Sequence, residues 1–144
     1  MATALGSEQW AVIGVVDPDA NTAAAYDTDE IDMSKWHRVM AVVQTGILGA
    51  SATIDFKFQD SATSGGSFAD VSGKSITQLV KADDDDKQAI VNLRYDELND
   101  SARYAKGVLT VGTATSDCSC VILGQPRYAP ASDNDLASVD EIVA

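Results

Sequence analysis

The sequence predicts an all-β domain, a sandwich or a small barrel, on three observations. Apolar residues recur with a period of two, strand-like stretches follow one another at short spacing, and turns rich in Gly, Pro, Asp and Ser separate them. The alternation is plainest in Thr53-Ile54-Asp55-Phe56-Lys57-Phe58-Gln59. There Ile54, Phe56 and Phe58 fall on one face and Thr53, Asp55, Lys57 and Gln59 on the other. That is the mark of an antiparallel strand with one side in a core and one in water.

Taken along the chain, further strands are expected at residues 10–16, 36–44, 89–94, 104–111 and 118–123, with a weaker one at 75–80. Turn signals divide them: Asp17-Pro18-Asp19, Thr45-Gly46, Ser64-Gly65-Gly66-Ser67, Ser72-Gly73, residues 83–87, residues 112–117 and Gly124-Gln125-Pro126. Helix is expected only as a turn or two at 21–26, 96–101 and 137–142. The acidic, Ala/Thr-rich stretch 17–32 reads as a long loop or a strand-edge excursion. The 144 residues make one ordinary domain, 1–144, with a core at about 8–130. The segment before it and the acidic tail, 131–144, carry little to pack. A chain of this length buries roughly 68–70% of its unfolded surface, enough to fold without metal or disulfide. No apolar run approaches the ~18 residues of a membrane span. The first ten residues also lack the basic and apolar regions of a secretory signal.

Ten Lys and Arg stand against 22 Asp and Glu, a formal net charge of −12. Such a field repels phosphate backbones, and the cations are scattered rather than clustered, so nucleic acid is not an expected partner. Acidity otherwise speaks for solubility. Docking on another protein is expected to use local basic or apolar patches.

The residues that could carry chemistry are few. His37 is the only histidine. It lies inside a strand, with no G-x-S-x-G elbow or other nucleophile motif in the sequence, and reads as structural or surface. Cys118 and Cys120 fall on one face of a strand, where parallel side chains do not bridge. A C-x-C pair with a single His is too few ligands for zinc, so both read as packed, reduced thiols. Asp17-Pro18-Asp19-Ala20-Asn21 opens like a calcium loop, but Thr22 stands where the turn needs Gly and Thr28 where the bidentate Glu belongs. Asp83-Asp84-Asp85-Asp86 offers oxygen ligands without fixed geometry and reads as a solvated loop. Trp10, Trp36, Tyr26, Tyr95, Tyr104 and Tyr128 could make a sugar-stacking platform, although strand aromatics serve cores and cross-strand pairs more often. No catalytic residue, cofactor site or metal site is assigned, and an enzyme is not expected.

A family likeness runs through the middle and C-terminal parts. Its carriers begin with Phe58-Gln59-Asp60-Ser61, Gly66-Ser67-Phe68-Ala69-Asp70-Val71 and Ile76-Thr77-Gln78-Leu79. They continue with Asp86-Lys87-Gln88-Ala89-Ile90-Val91-Asn92-Leu93-Arg94, Glu97-Leu98, Arg103-Tyr104 and Leu109-Thr110-Val111-Gly112. Val121-Ile122-Leu123-Gly124-Gln125-Pro126-Arg127-Tyr128-Ala129-Pro130 completes the series. In this order, over about residues 35–131, the chain resembles the head decoration, or cement, proteins of tailed bacteriophages.

That resemblance implies an antiparallel β-sandwich or jelly-roll-like domain, made in the host cytoplasm and placed on the outer surface of the phage head. It implies the major capsid protein as partner and a homotrimer at three-fold positions, with no catalytic residues, nucleic acid or membrane involved. Either end, residues 1–16 or the tail after Pro130, is expected to lend a strand to a neighbour's sheet edge. Two other readings stand beside it: a tail or head–tail connector component, and a glycan-binding β-sandwich module.

Overall fold

The computed structural model of the protein describes residues 3–144. Ten strands form two antiparallel sheets packed as a sandwich: β1 (Ala11–Asn21), β2 (Ala25–Asp27), β3 (Ile31–Asp32), β4 (Trp36–Thr45), β5 (Thr53–Ser61), β6 (Ala69–Ser75), β7 (Leu79–Val80), β8 (Gln88–Arg94), β9 (Tyr104–Gly112) and β10 (Ser116–Pro126). The first sheet has the order β1-β10-β4-β8 and the second β2-β9-β5-β6. In the second sheet β3 continues the β2 edge along β9, and β7 continues the β6 edge along β5. With β3 and β7 counted as continuations, the main strands leave two sheets of four whose order is that of a jelly roll. The all-β sandwich expected from the sequence is the fold.

The period of two explains the core. Ile54, Phe56 and Phe58 of β5 are fully buried, and the two rings meet edge to face with centroids 5.3 Å apart. Opposite them lie Ile13, Val39, Ala41, Val43, Leu93, Cys120 and Ile122 from the first sheet. Each large side chain buried there contributes about 1.5–3 kcal/mol.

Several expectations need correction. The stretch 17–32 is not one loop, nor is it helical at 21–26; the strand-edge excursion expected as the alternative is what forms. Asp17–Asn21 extends β1 past a register shift between Val16 and Asp19, and the chain then crosses to the second sheet as β2 and β3. Pro18 is tolerated because it lies at that irregularity on an edge strand, where its missing N–H breaks no ladder. Ser72-Gly73 is not a turn between elements. It is an irregularity inside β6, where Gly73 takes φ +73° and the pairing jumps from Lys57–Ser75 to Gln59–Asp70. The weak strand at 75–80 is really the end of β6 and the two residues of β7. Residues 95–97 make a single 3₁₀ turn, and 137–142 are not helical; the short helix is Gly6–Gln9.

The ends also differ from expectation. Ala11–Val16 is not free for a neighbour, because it pairs with β10 of its own chain; Met1 and Ala2 lie outside the described residues. The tail starts packed: Ala131 is fully buried, Asp135 Oδ1 accepts the Val12 N–H at 2.6 Å, and the Leu136 N–H donates to the Val12 carbonyl at 2.9 Å. Beyond Leu136 the chain is mostly exposed.

Candidate functional site

The four-stranded sheet is apolar on both faces. In β4 the sequence Val39-Met40-Ala41-Val42-Val43 places Val39, Ala41 and Val43 in the core, and Met40 and Val42 therefore point outward. In β10, Cys118, Cys120 and Ile122 face in, and Val121 and Leu123 face out. Val12 and Val15 of β1 and Ile90 of β8 join them. Register aligns these side chains in two rows across the sheet: Val12, Leu123, Met40 and Asn92; then Val15, Val121, Val42 and Ile90. Seven of those eight are apolar. Most are half-buried by one another, while Ile90 is 58% exposed.

With strands ~4.8 Å apart and same-face residues ~6.8 Å apart along a strand, the two rows cover roughly 250 Å². That is about a third of what one partner contributes to a standard protein interface. It suits the dry centre of a contact whose rim is polar. The rim is present on both sides. At one end the next row is Gln125, Arg38 and Arg94; the Arg38 Nε donates to Gln125 Oε1 at 2.8 Å, and its guanidinium lies 5.8 Å from the Trp10 ring centroid. At the other end it is Ser119, Gln44 and Gln88.

The outer face of the second sheet is different in kind. Its polar side chains satisfy one another: Lys57 with Asp70 at 2.8 Å, Gln59 with Asp70 at 2.7 Å, Gln78 with Asp55 at 2.8 Å and Lys106 with Asp27 at 2.6 Å. A face so paired is at home in water. The two faces give the molecule a polar side and an apolar side.

The residues singled out from sequence do not gather into a catalytic site. His37 is exposed on β4, beside the buried Trp36. Cys118 and Cys120 share the inner face of β10, buried and unbridged, as expected. Burial pushes the Cys120 thiol up to about 12 and raises that of Cys118 as well, so neither is an activated nucleophile. The four aspartates after Ala82 are not merely solvated. Asp84 Oδ2 accepts the Val80 N–H at 2.8 Å, and Asp85 Oδ1 accepts the Leu48 N–H at 2.9 Å. They build the turn. Asp19, Asp86 and Asp117 line an open cleft of about 620 Å³. Among the described residues no three His, Cys, Asp or Glu side chains stand so as to hold a metal ion. The aromatics are dispersed: Trp36 is in the core, Tyr26 donates to the Thr22 carbonyl, Tyr95 stacks 4.0 Å from the Arg127 guanidinium, and Tyr128 is 75% exposed.

Sequence reasoning missed the apolar outer face. Its signal was present in Val39-Met40-Ala41-Val42-Val43, Ala89-Ile90-Val91 and Cys120-Val121-Ile122-Leu123, which do not alternate. A strand apolar at every position has both faces to cover.

No protein-family model matches the chain, and no curated protein does. Among solved structures it is similar to a subunit from Bacillus endospore appendages, which form a family of disulfide-linked pili, at 15% identity and a TM-score of 0.39 over 88% of this chain and 98% of that one. It is also similar to the carbohydrate-binding module TmCBM61 solved with β-1,4-galactotriose, at 11% identity and a TM-score of 0.36 over 84% of this chain and 97% of that one.

Proposed function

We propose that the protein is a head decoration protein of a tailed bacteriophage, a non-enzymatic clamp that docks on the assembled capsid lattice through the outer face of its four-stranded sheet. The observation that carries this reading is the adhesive face itself: seven apolar side chains in register across four strands, with Arg38 and Arg94 at one margin. The sequence likeness over about residues 35–131 supports it, and so does a second face whose charges are already paired. The wet face then looks outward from the particle. A net charge of −12 keeps particles apart.

The mechanism is linkage. A ligand that binds the assembled lattice and not loose subunits stabilises the lattice by RT ln(1 + [L]/Kd), about 2.7 kcal/mol per site at a hundredfold excess over Kd. Many sites on one shell add. Burial of the two apolar rows supplies the affinity, and Arg38 at the margin sets orientation on an acidic or polar counter-surface.

The test is co-sedimentation with undecorated expanded capsids, with unexpanded procapsids as control. Saturable binding to expanded capsids and a raised capsid melting temperature are expected. Val42→Glu places an unpaired charge at the centre of the face, where the position is half-buried in the free protein and fully buried in the complex. It is expected to keep the fold and weaken binding at least thirtyfold, about 2 kcal/mol. Absence of binding to either particle would overturn the reading and turn attention to tail and connector assemblies.

A further inference from the structure

β8 is the outer strand of the four-stranded sheet and, among the described residues, pairs only with β4. The N–H and C=O groups of an antiparallel strand point alternately to its two sides. The Thr45 N–H donates to the Lys87 carbonyl at 2.9 Å, which sets the phase. Ala89, Val91 and Leu93 therefore turn their backbone groups toward β4, and Gln88, Ile90, Asn92 and Arg94 turn theirs outward. The Arg94 N–H is taken by Glu97 Oε2 at 2.8 Å. Among the described residues nothing hydrogen-bonds the outward groups of Gln88, Ile90 and Asn92. The strand has no Pro, no Lys and no irregularity in its pairing with β4, and its one charged residue, Arg94, stands at its end.

The opposite edge of the same sheet carries a matching element. Leu136 is tied to Val12 of β1, and residues 137–144 leave from there with Ile142 and Val143 45% and 82% exposed. Eight extended residues reach about 26 Å. To meet β8 of its own chain the segment must cross four strand spacings, about 19 Å, which leaves roughly two residues to pair. From a neighbouring copy whose β1 edge abuts β8, nearly all eight are free to pair.

We propose that residues 137–144 of one copy add as a fifth strand to the open edge of β8 in a neighbouring copy. The contact rests on the backbone ladder and on the exposed Ile142 and Val143, since Arg94 at the end of β8 is already paired with Asp96 at 3.1 Å. Donor and acceptor lie on opposite edges, so the contact is head-to-tail and repeats from copy to copy until the ring closes. It leaves the outer face of the sheet uncovered and is independent of what that face binds.

Two variants and their mixture test this by mass in solution. The full chain is expected to be oligomeric. A chain stopped after Leu136 loses the donor, and Asn92→Pro removes an outward N–H without touching the β4 ladder. Each is expected to be monomeric alone, with a melting transition retained. Mixed, they are expected to form a one-to-one dimer and nothing larger, because one intact donor meets one intact acceptor. A monomeric full chain overturns the proposal. So does an oligomer that survives in either variant, or a mixture that stays monomeric.

Discussion

Gly107 of β9 passes directly over the Phe56 ring, and a Cβ there would stand 2.7 Å from two ring carbons. Because Phe56 is fully buried against Phe58, the ring has nowhere to go. Gly107→Ala is expected to cost about 2 kcal/mol, read as a lower urea midpoint with unchanged slope. Asp32 shows a different kind of constraint. The Arg103 guanidinium grips its carboxylate through two bonds, 2.9 and 2.7 Å, and holds it well below the ordinary 3.8. A carboxylate whose folded pKa is depressed stabilises the fold above its unfolded value and loses that contribution as pH falls toward the folded one. The melting temperature of Asp32→Asn is therefore expected to lie below wild type at neutral pH. The gap should narrow steadily below about pH 4. It will be modest, since Arg103 is half in solvent.

Thr28 links two short strands into one edge. Its N–H donates to the Gly107 carbonyl at 2.9 Å, and its hydroxyl accepts the Gly107 N–H at 2.9 Å, bridging the gap between β2 and β3 along β9. Thr28→Val keeps the shape but strands a buried N–H, at an expected cost of about 1–3 kcal/mol in chemical denaturation. The same element shows why parts of the fold were legible and others were not. β5 announced itself because its two faces meet different solvents. β4, β8 and β10 were legible as strands, but not the meaning of their unbroken apolar runs, since the outward face is defined only once neighbours set the register. β2 and β3 offer two or three residues each in an acidic, Ala/Thr-rich stretch, too few for a period to show. β6 was hidden by Ser72-Gly73, a turn signal that the sheet absorbs as an irregularity. The loop 98–103 gave no hint of its anchor: Asp60, buried on β5, accepts the Asn99 N–H and side-chain amide at 2.7 and 2.8 Å.

Across the whole molecule, neighbours in space are distant in sequence. β1 pairs with β10, β4 with both β10 and β8, and β5 with β9. Such a topology closes large loops before contacts reward them, so refolding is expected in milliseconds to seconds rather than microseconds, measurable by stopped-flow Trp fluorescence. An early helical burst is not expected, because the longest helix among the described residues has four residues. The pairing of first strand with last has another result. Ala11 lies opposite Gly124, so the chain enters and leaves the sandwich at one corner. A peptide joined ahead of Ala11 and one joined directly after Leu136, whose N–H is tied to the Val12 carbonyl, would therefore emerge side by side. A scaffold of that kind accepts cargo at one corner while its broad faces stay free.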